Sequence, residues 1–132
     1  MKRREKPLSP HLGIYRPQIS SVLSIMHRLS GVYNYVGLVA VLWIMVTFQY
    51  ATGNIEDSLI YIFFSTMFGQ ALVVAWSFSL IFHMCTGIRH LFWDLGWGFD
   101  VKTMTITGWI AVISSFAITT LCWLIAMRYI VL

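Results

Sequence analysis

Residues 59–94 read LIYIFFSTMFGQALVVAWSFSLIFHMCTGIRHLFWD. Residues 58–88 carry no Asp, Glu, Lys or Arg. That run is longer than the roughly 20 apolar residues needed to cross a hydrocarbon core of about 30 Å. With no water available to an exposed backbone in lipid, the segment must close its own hydrogen bonds as a helix. Its end is unlike its beginning. His83 lies inside the apolar run, and Arg89, His90 and Asp94 follow it. An ionisable side chain within a span is rare and points to a functional site, so an apolar segment ending in this cluster suggests redox or proton chemistry near a membrane surface.

Two further runs share this character: residues 29–55 and 103–127 also lack Asp, Glu, Lys and Arg. Over the 132 residues, 58% are hydrophobic and 11% charged, against roughly 25% charged in a soluble domain. The expectation is an all-α membrane protein with three transmembrane helices at about 29–50, 59–88 and 106–127, within a transmembrane domain of residues 21–132. Alternating β-barrel patterning is absent. Residues 1–20 hold Pro7, Pro10 and Pro17, which exclude a long helix there; they are expected to lie on the cytoplasmic side along the headgroups or against a soluble partner. No signal-peptide pattern is evident in them, which favours a bacterial inner membrane, or a mitochondrial inner membrane if the chain is a processed form.

The net charge of +4 does not point to nucleic acid, because Lys2, Arg3, Arg4, Lys6, Arg16 and Arg28 all precede the first span. Such a bias is a topology signal. It places the N-terminus and the second loop, with Arg89 and Lys102, inside, and the first loop, with Glu56 and Asp57, outside together with the C-terminus. Cys85 and Cys122 fall near opposite faces, beyond the roughly 7 Å reach of a disulfide. On this topology His83 lies about 9 Å deeper than Arg89 at ~1.5 Å per residue. His27, at the inner end of span one, comes to the same side.

Ser24, His27 and Arg28 stand at i, i+3 and i+4 and share a helix face. A hydroxyl, an imidazole and a guanidinium together can hydrogen-bond a carbonyl oxygen or a propionate and supply protons. His83 suits axial ligation of haem iron, or else a hydrogen bond to a neighbouring helix. Gly87 and His90, four and seven residues on, lie on its face; Gly87 can clear room for a macrocycle edge, and His90 and Arg89 can reach propionates. His83 and His90 are about 10 Å apart along the helix, too far to flank one iron. A second ligand comes from His27 or from a partner subunit. Gly31 and Gly37 offer a thin flank for close packing. No GxGxxG, Walker A or CxxC motif is present, so the chain is not a dehydrogenase by itself, and no residue is assigned as catalytic.

The stretches KPLSPHLGIYRPQI, SIMHRLSG (Ser24–Gly31) and HMCTGIRHLFWD (His83–Asp94) resemble the cytochrome b membrane-anchor subunits of succinate dehydrogenase, respiratory complex II. The resemblance covers nearly the whole chain. It implies a hetero-oligomeric helix bundle in which His83 is an axial ligand of haem b and a second small anchor subunit gives the other ligand. It implies that Ser24 and Arg28 line a ubiquinone site, with His27 near that site and the haem propionates. Flavoprotein and iron–sulfur subunits would dock on the cytoplasmic face and pass electrons to quinone. Rival readings are a fumarate reductase anchor, a haem-free structural anchor, and a haem anchor for an unrelated dehydrogenase.

Overall fold

The computed structural model describes residues 16–50 and 59–130. They form four helices, α1 (Ile19–Tyr50), α2 (Leu59–Ser65), α3 (Met67–Asp94) and α4 (Val101–Ile130), and no strand. Three of these are long and apolar enough to cross a membrane: Ile19–Phe48, Met67–Asp94 and Val101–Tyr129. The expected placement of residues 1–15 and the expected first loop, residues 51–58, lie outside the described residues.

The helices outrun the apolar stretches read from sequence. The helix α1 begins ten residues before Leu29, α3 continues six past Ile88, and α4 starts five before Ile106. Hydropathy marks only the part that sits in hydrocarbon, whereas helical hydrogen bonding continues until a cap ends it. At α1 the Gln18 carbonyl accepts from Val22 N at 3.1 Å, immediately after Pro17. Ser20 and Ser21 therefore lie inside the first turn. At α4 the Asp100 carboxylate accepts from the backbone N–H groups of Lys102 (3.2 Å) and Thr103 (3.3 Å), the geometry of an N-cap.

The single helix expected over 59–88 is interrupted at Thr66. Its backbone is extended (φ −74°, ψ 154°), and its hydroxyl accepts from Gly69 N at 3.1 Å. The same hydroxyl donates to Phe63 O at 2.6 Å, tying the end of α2 to the start of α3. A Cβ at Gly69 would lie 2.3 Å from Phe63 O, so the fold-back requires glycine there.

The other end of α3 closes on a glycine turn. Gly96 has φ +82°, Gly96 N donates to Trp93 O at 2.8 Å and Trp97 N to Phe92 O at 3.0 Å. This is the Schellman pairing of a helix C-terminus, and the Phe92–Trp97 ring contact at 6.5 Å is the apolar clasp that accompanies it. The turn brings α4 back along α3. Toward its far end Trp123 Nε1 donates to Ser77 Oγ at 2.8 Å.

The helix α3 is central, antiparallel to both α1 and α4. Small residues make the approach close. A Cβ at Gly37 would lie 2.0 Å from Trp76 Nε1, and one at Gly108 would lie 3.0 Å from Leu23 Cδ1. The interior holds hydroxyls: Thr86 and Ser115, fully buried, and Thr119, nearly so, bond back to their own helices, while the nearly buried Ser79 reaches across to Ser30 O on α1. Most large apolar side chains face outward, among them Val32, Trp43, Ile113 and Leu124. Lipid and partner helices are the surroundings that suit them, since tails are as apolar as leucine and drive no inward segregation.

Candidate functional site: a histidine stack between two helices

Helix geometry sets which α3 side chains meet α1. His83, Thr86 and His90 follow a spacing of three and four along one face. On α1 the corresponding residues are His27, Ser30, Gly31 and Asn34. Because the helices run antiparallel, His27 lands between His83 and His90. Its ring lies face to face with His83 (centroids 4.0 Å, 6° between planes) and with His90 (4.6 Å, 19°). The two clusters recognised separately in the sequence are thus one stack at one end of the bundle.

The ring nitrogens have definite partners. His83 Nδ1 lies 3.0 Å from the His27 carbonyl oxygen and 3.0 Å from Ser30 Oγ. A carbonyl only accepts, so Nδ1 carries the proton and Nε2 the lone pair. His90 Nδ1 donates to Thr86 O at 2.8 Å. His27 Nδ1 lies 2.7 Å from Thr86 Oγ1, whose hydroxyl also lies within hydrogen-bond reach of Phe82 O at 2.7 Å. In their neutral forms His83 and His90 therefore keep Nε2 as an acceptor.

This donor set fits a haem ligand. A ligating histidine normally donates its other N–H to a carbonyl or similar group, which fixes tautomer and orientation, and His83 has that arrangement. Room for the ring comes from Gly31, where a Cβ would come within 3.0 Å of His83 Cε1. Gly87, expected to clear a macrocycle edge, instead faces His27 Cε1 at 3.6 Å from its would-be Cβ. His27 cannot be the opposing axial ligand in this arrangement. Axial ligands aim nitrogens at an iron between them, while these two rings present π faces to each other.

Other expected site residues divide. Arg28 is exposed and Ser24 half-buried on α1, one turn apart on a common face, with no side-chain hydrogen bond among the described residues. Arg89 is separated from the histidines. One residue before His90 is about 100° round the helix, which turns Arg89 to α4. There it is buried to 5% exposure, its Nε donates to Thr107 Oγ1 at 3.2 Å and its Nη2 to Met104 O at 2.8 Å. Its guanidinium carbon sits 4.0 Å over the Trp93 ring, a cation–π contact. Arg89 thus clasps α3 to α4, while its buried Nη1 has no hydrogen-bond partner among the described residues. Asp94 is exposed.

Four participants escaped the sequence reading: Ser30, Thr86, Asn34 and Ser79. Asn34 donates to Ser79 O at 3.4 Å, and Ser79 Oγ lies 3.5 Å from Ser30 O. The polar positions 27, 30 and 34 on α1 against 79, 83, 86 and 90 on α3 carry a helical period that could have flagged one seam. Small hydroxyls bonding to their own backbone are common enough to hide it.

Comparison with known proteins identifies the family of the chain. The model of the family described as succinate dehydrogenase/fumarate reductase transmembrane subunit matches residues 2–122. The succinate dehydrogenase cytochrome b556 subunit of Rickettsia prowazekii is 41% identical over 119 residues, covering 90% of this chain and 91% of that one. The cytochrome b560 subunit of Reclinomonas americana is 33% identical over 129 residues, covering 91% and 85%. The mitochondrial cytochrome b560 subunit of Mus musculus is 37% identical over 112 residues, covering 78% and 61%. On this extent of match, the chain belongs to the succinate dehydrogenase/fumarate reductase transmembrane subunit family.

Proposed function

We propose that His83 gives its Nε2 to the iron of haem b, that a second small anchor subunit gives the opposing ligand, and that ubiquinone is reduced beside Ser24 and Arg28. The chain is the cytochrome b membrane anchor of succinate dehydrogenase, a multi-pass inner-membrane protein. The relatives named above are succinate dehydrogenase subunits, which supports succinate oxidation over the fumarate-reducing direction that the family description also covers. Flavoprotein and iron–sulfur subunits dock at the end of the bundle that carries the histidines.

The observation that carries the reading is the His83 Nδ1–H held at 3.0 Å by the His27 carbonyl. A neutral imidazole with a fixed ring and a lone pair on Nε2 is what iron ligation requires. Haem b, when bound, supplies one-electron transfer. His27 fills the space beside His83 and, with His90, offers ring nitrogens that receive protons or bind propionates once protonated. Arg28, free of intrachain side-chain bonds among the described residues, donates to a quinone carbonyl and opposes negative charge as it develops on that oxygen. The Ser24 hydroxyl, one turn earlier, fixes the ring's orientation.

The test is the complex purified through a tag on this chain. The native complex is expected to contain the flavoprotein, iron–sulfur and second anchor subunits and to show a b-type reduced-minus-oxidised spectrum. His83→Leu is expected to lose that spectrum while pulling down the same partners. A His83→Leu complex with an unaltered haem spectrum defeats the ligand assignment.

A further inference from the structure

We infer that Ser30 is a positioning residue for His83, setting the hydrogen bonding of its Nδ1 and through it the electronic character of Nε2. The inference rests on the reading of His83 as the haem ligand.

The turn from His27 to Gly31 is shaped around the His83 ring. The Ser30 hydroxyl donates to His27 O at 2.8 Å, the three-residue return typical of a helical serine. With its proton committed there, Oγ turns a lone pair toward His83 Nδ1 at 3.0 Å. The Nδ1–H of His83 is therefore shared between two acceptors, Ser30 Oγ and His27 O, each 3.0 Å away. One ring face is covered by His27, and the absent side chain of Gly31 lets Cε1 approach the α1 backbone. No other side chain among the described residues hydrogen-bonds His83 through its ring.

Two consequences follow. The shared proton cannot migrate to Nε2 without leaving Nδ1 facing a carbonyl lone pair, so the ligating tautomer is locked. Two acceptors also draw the N–H toward imidazolate character, which makes Nε2 a stronger donor and favours the ferric state. Removing Oγ leaves only the carbonyl. That carbonyl is relieved of the Ser30 proton and accepts more strongly, but the gain is second-hand, whereas the loss is a direct contact. The ferrous state is expected to gain.

A single hydrogen bond between membrane helices is too weak to decide assembly, so a Ser30 variant leaves a complex that can be measured. In the purified complex Ser30→Ala is expected to keep its subunits and haem content. The ferrous-to-ferric ratio at a fixed potential should rise several-fold, up to tenfold, the latter corresponding to about 59 mV for one electron. The low-spin ferric resonance signal should move with it, because ring orientation sets its anisotropy. Ser30→Thr restores the hydroxyl and is expected to return both readouts toward native. The inference fails if Ser30→Ala matches the native complex in potential and resonance, or if Ser30→Thr departs as far as Ser30→Ala. His83→Leu in parallel separates the two levels. A lost haem spectrum there with a silent Ser30→Ala removes only the role of Ser30; a retained spectrum removes the ligand assignment beneath it.

Discussion

Arg28 and Arg89 show how position on a helix decides what a guanidinium does. Arg89 is enclosed and committed to Thr107, Met104 and the Trp93 face, so its donors organise the return of α4. Arg28 is exposed, and its fork is available to a ligand. A hydrogen bond to a charged group contributes about 1.5–3 kcal/mol, and 1.4 kcal/mol is about tenfold in binding. Arg28→Leu should therefore raise the KM for ubiquinone by about tenfold or more. Ser24→Ala, removing a neutral donor or acceptor, should raise it by about two- to tenfold. Initial rates of succinate-driven quinone reduction in membranes, at matched complex content, measure both. Unchanged KM and turnover in the pair would take these residues out of the quinone site.

At the scale of elements, the α1–α3 contact depends on backbone proximity. Without a hydrophobic driving force between helices in lipid, close packing and interhelical hydrogen bonds must hold them. Gly37 is the tightest point of that contact, with Trp76 Nε1 where a methyl group would fall. Gly37→Ala is expected to destabilise the helix pair by about 1–3 kcal/mol, the usual cost of overpacking. It should appear as a lower midpoint for thermal loss of the haem spectrum. Combining it with Trp76→Leu should recover part of that loss, and a double-mutant cycle reads the coupling directly. Full additivity would show that Gly37 and Trp76 do not meet in the assembled complex. The same contact sets the register of the histidines. Moving α1 by one turn, about 5.4 Å, would take the His27 ring out of the gap between His83 and His90.

For the whole molecule, the histidine stack, the Arg89 clasp and the α3–α4 turn occupy one end. The Lys/Arg distribution favours that end as the cytoplasmic (or matrix) one. In a background with Cys85 and Cys122 replaced by serine, Gly98→Cys should be shielded from a membrane-impermeant maleimide in intact cells and react once cells are opened. Asn54→Cys should react from outside. The reverse pattern would invert the topology and move the docking face for soluble subunits.

Much of this was legible in the chain. Charge-free runs longer than a bilayer leave the backbone no option but helices, so the span number and all-α class followed from composition alone. The spacing of His83 within its run, and of Ser24, His27 and Arg28 on one face, marked the two clusters. The positive-charge bias argued that they share a side. Hydropathy does not record caps, so it missed the break at Thr66 and the extension of α4 back to Asp100. Nor does a linear pattern fix the rotation of one helix against another. That rotation, set by Gly31 and Gly37 admitting His83 and Trp76, is a property of packing. Only the tertiary structure could decide that His27 lies between two other histidines, that Arg89 turns away from them, and that His83 has one nitrogen held by α1 and the other left as a lone pair.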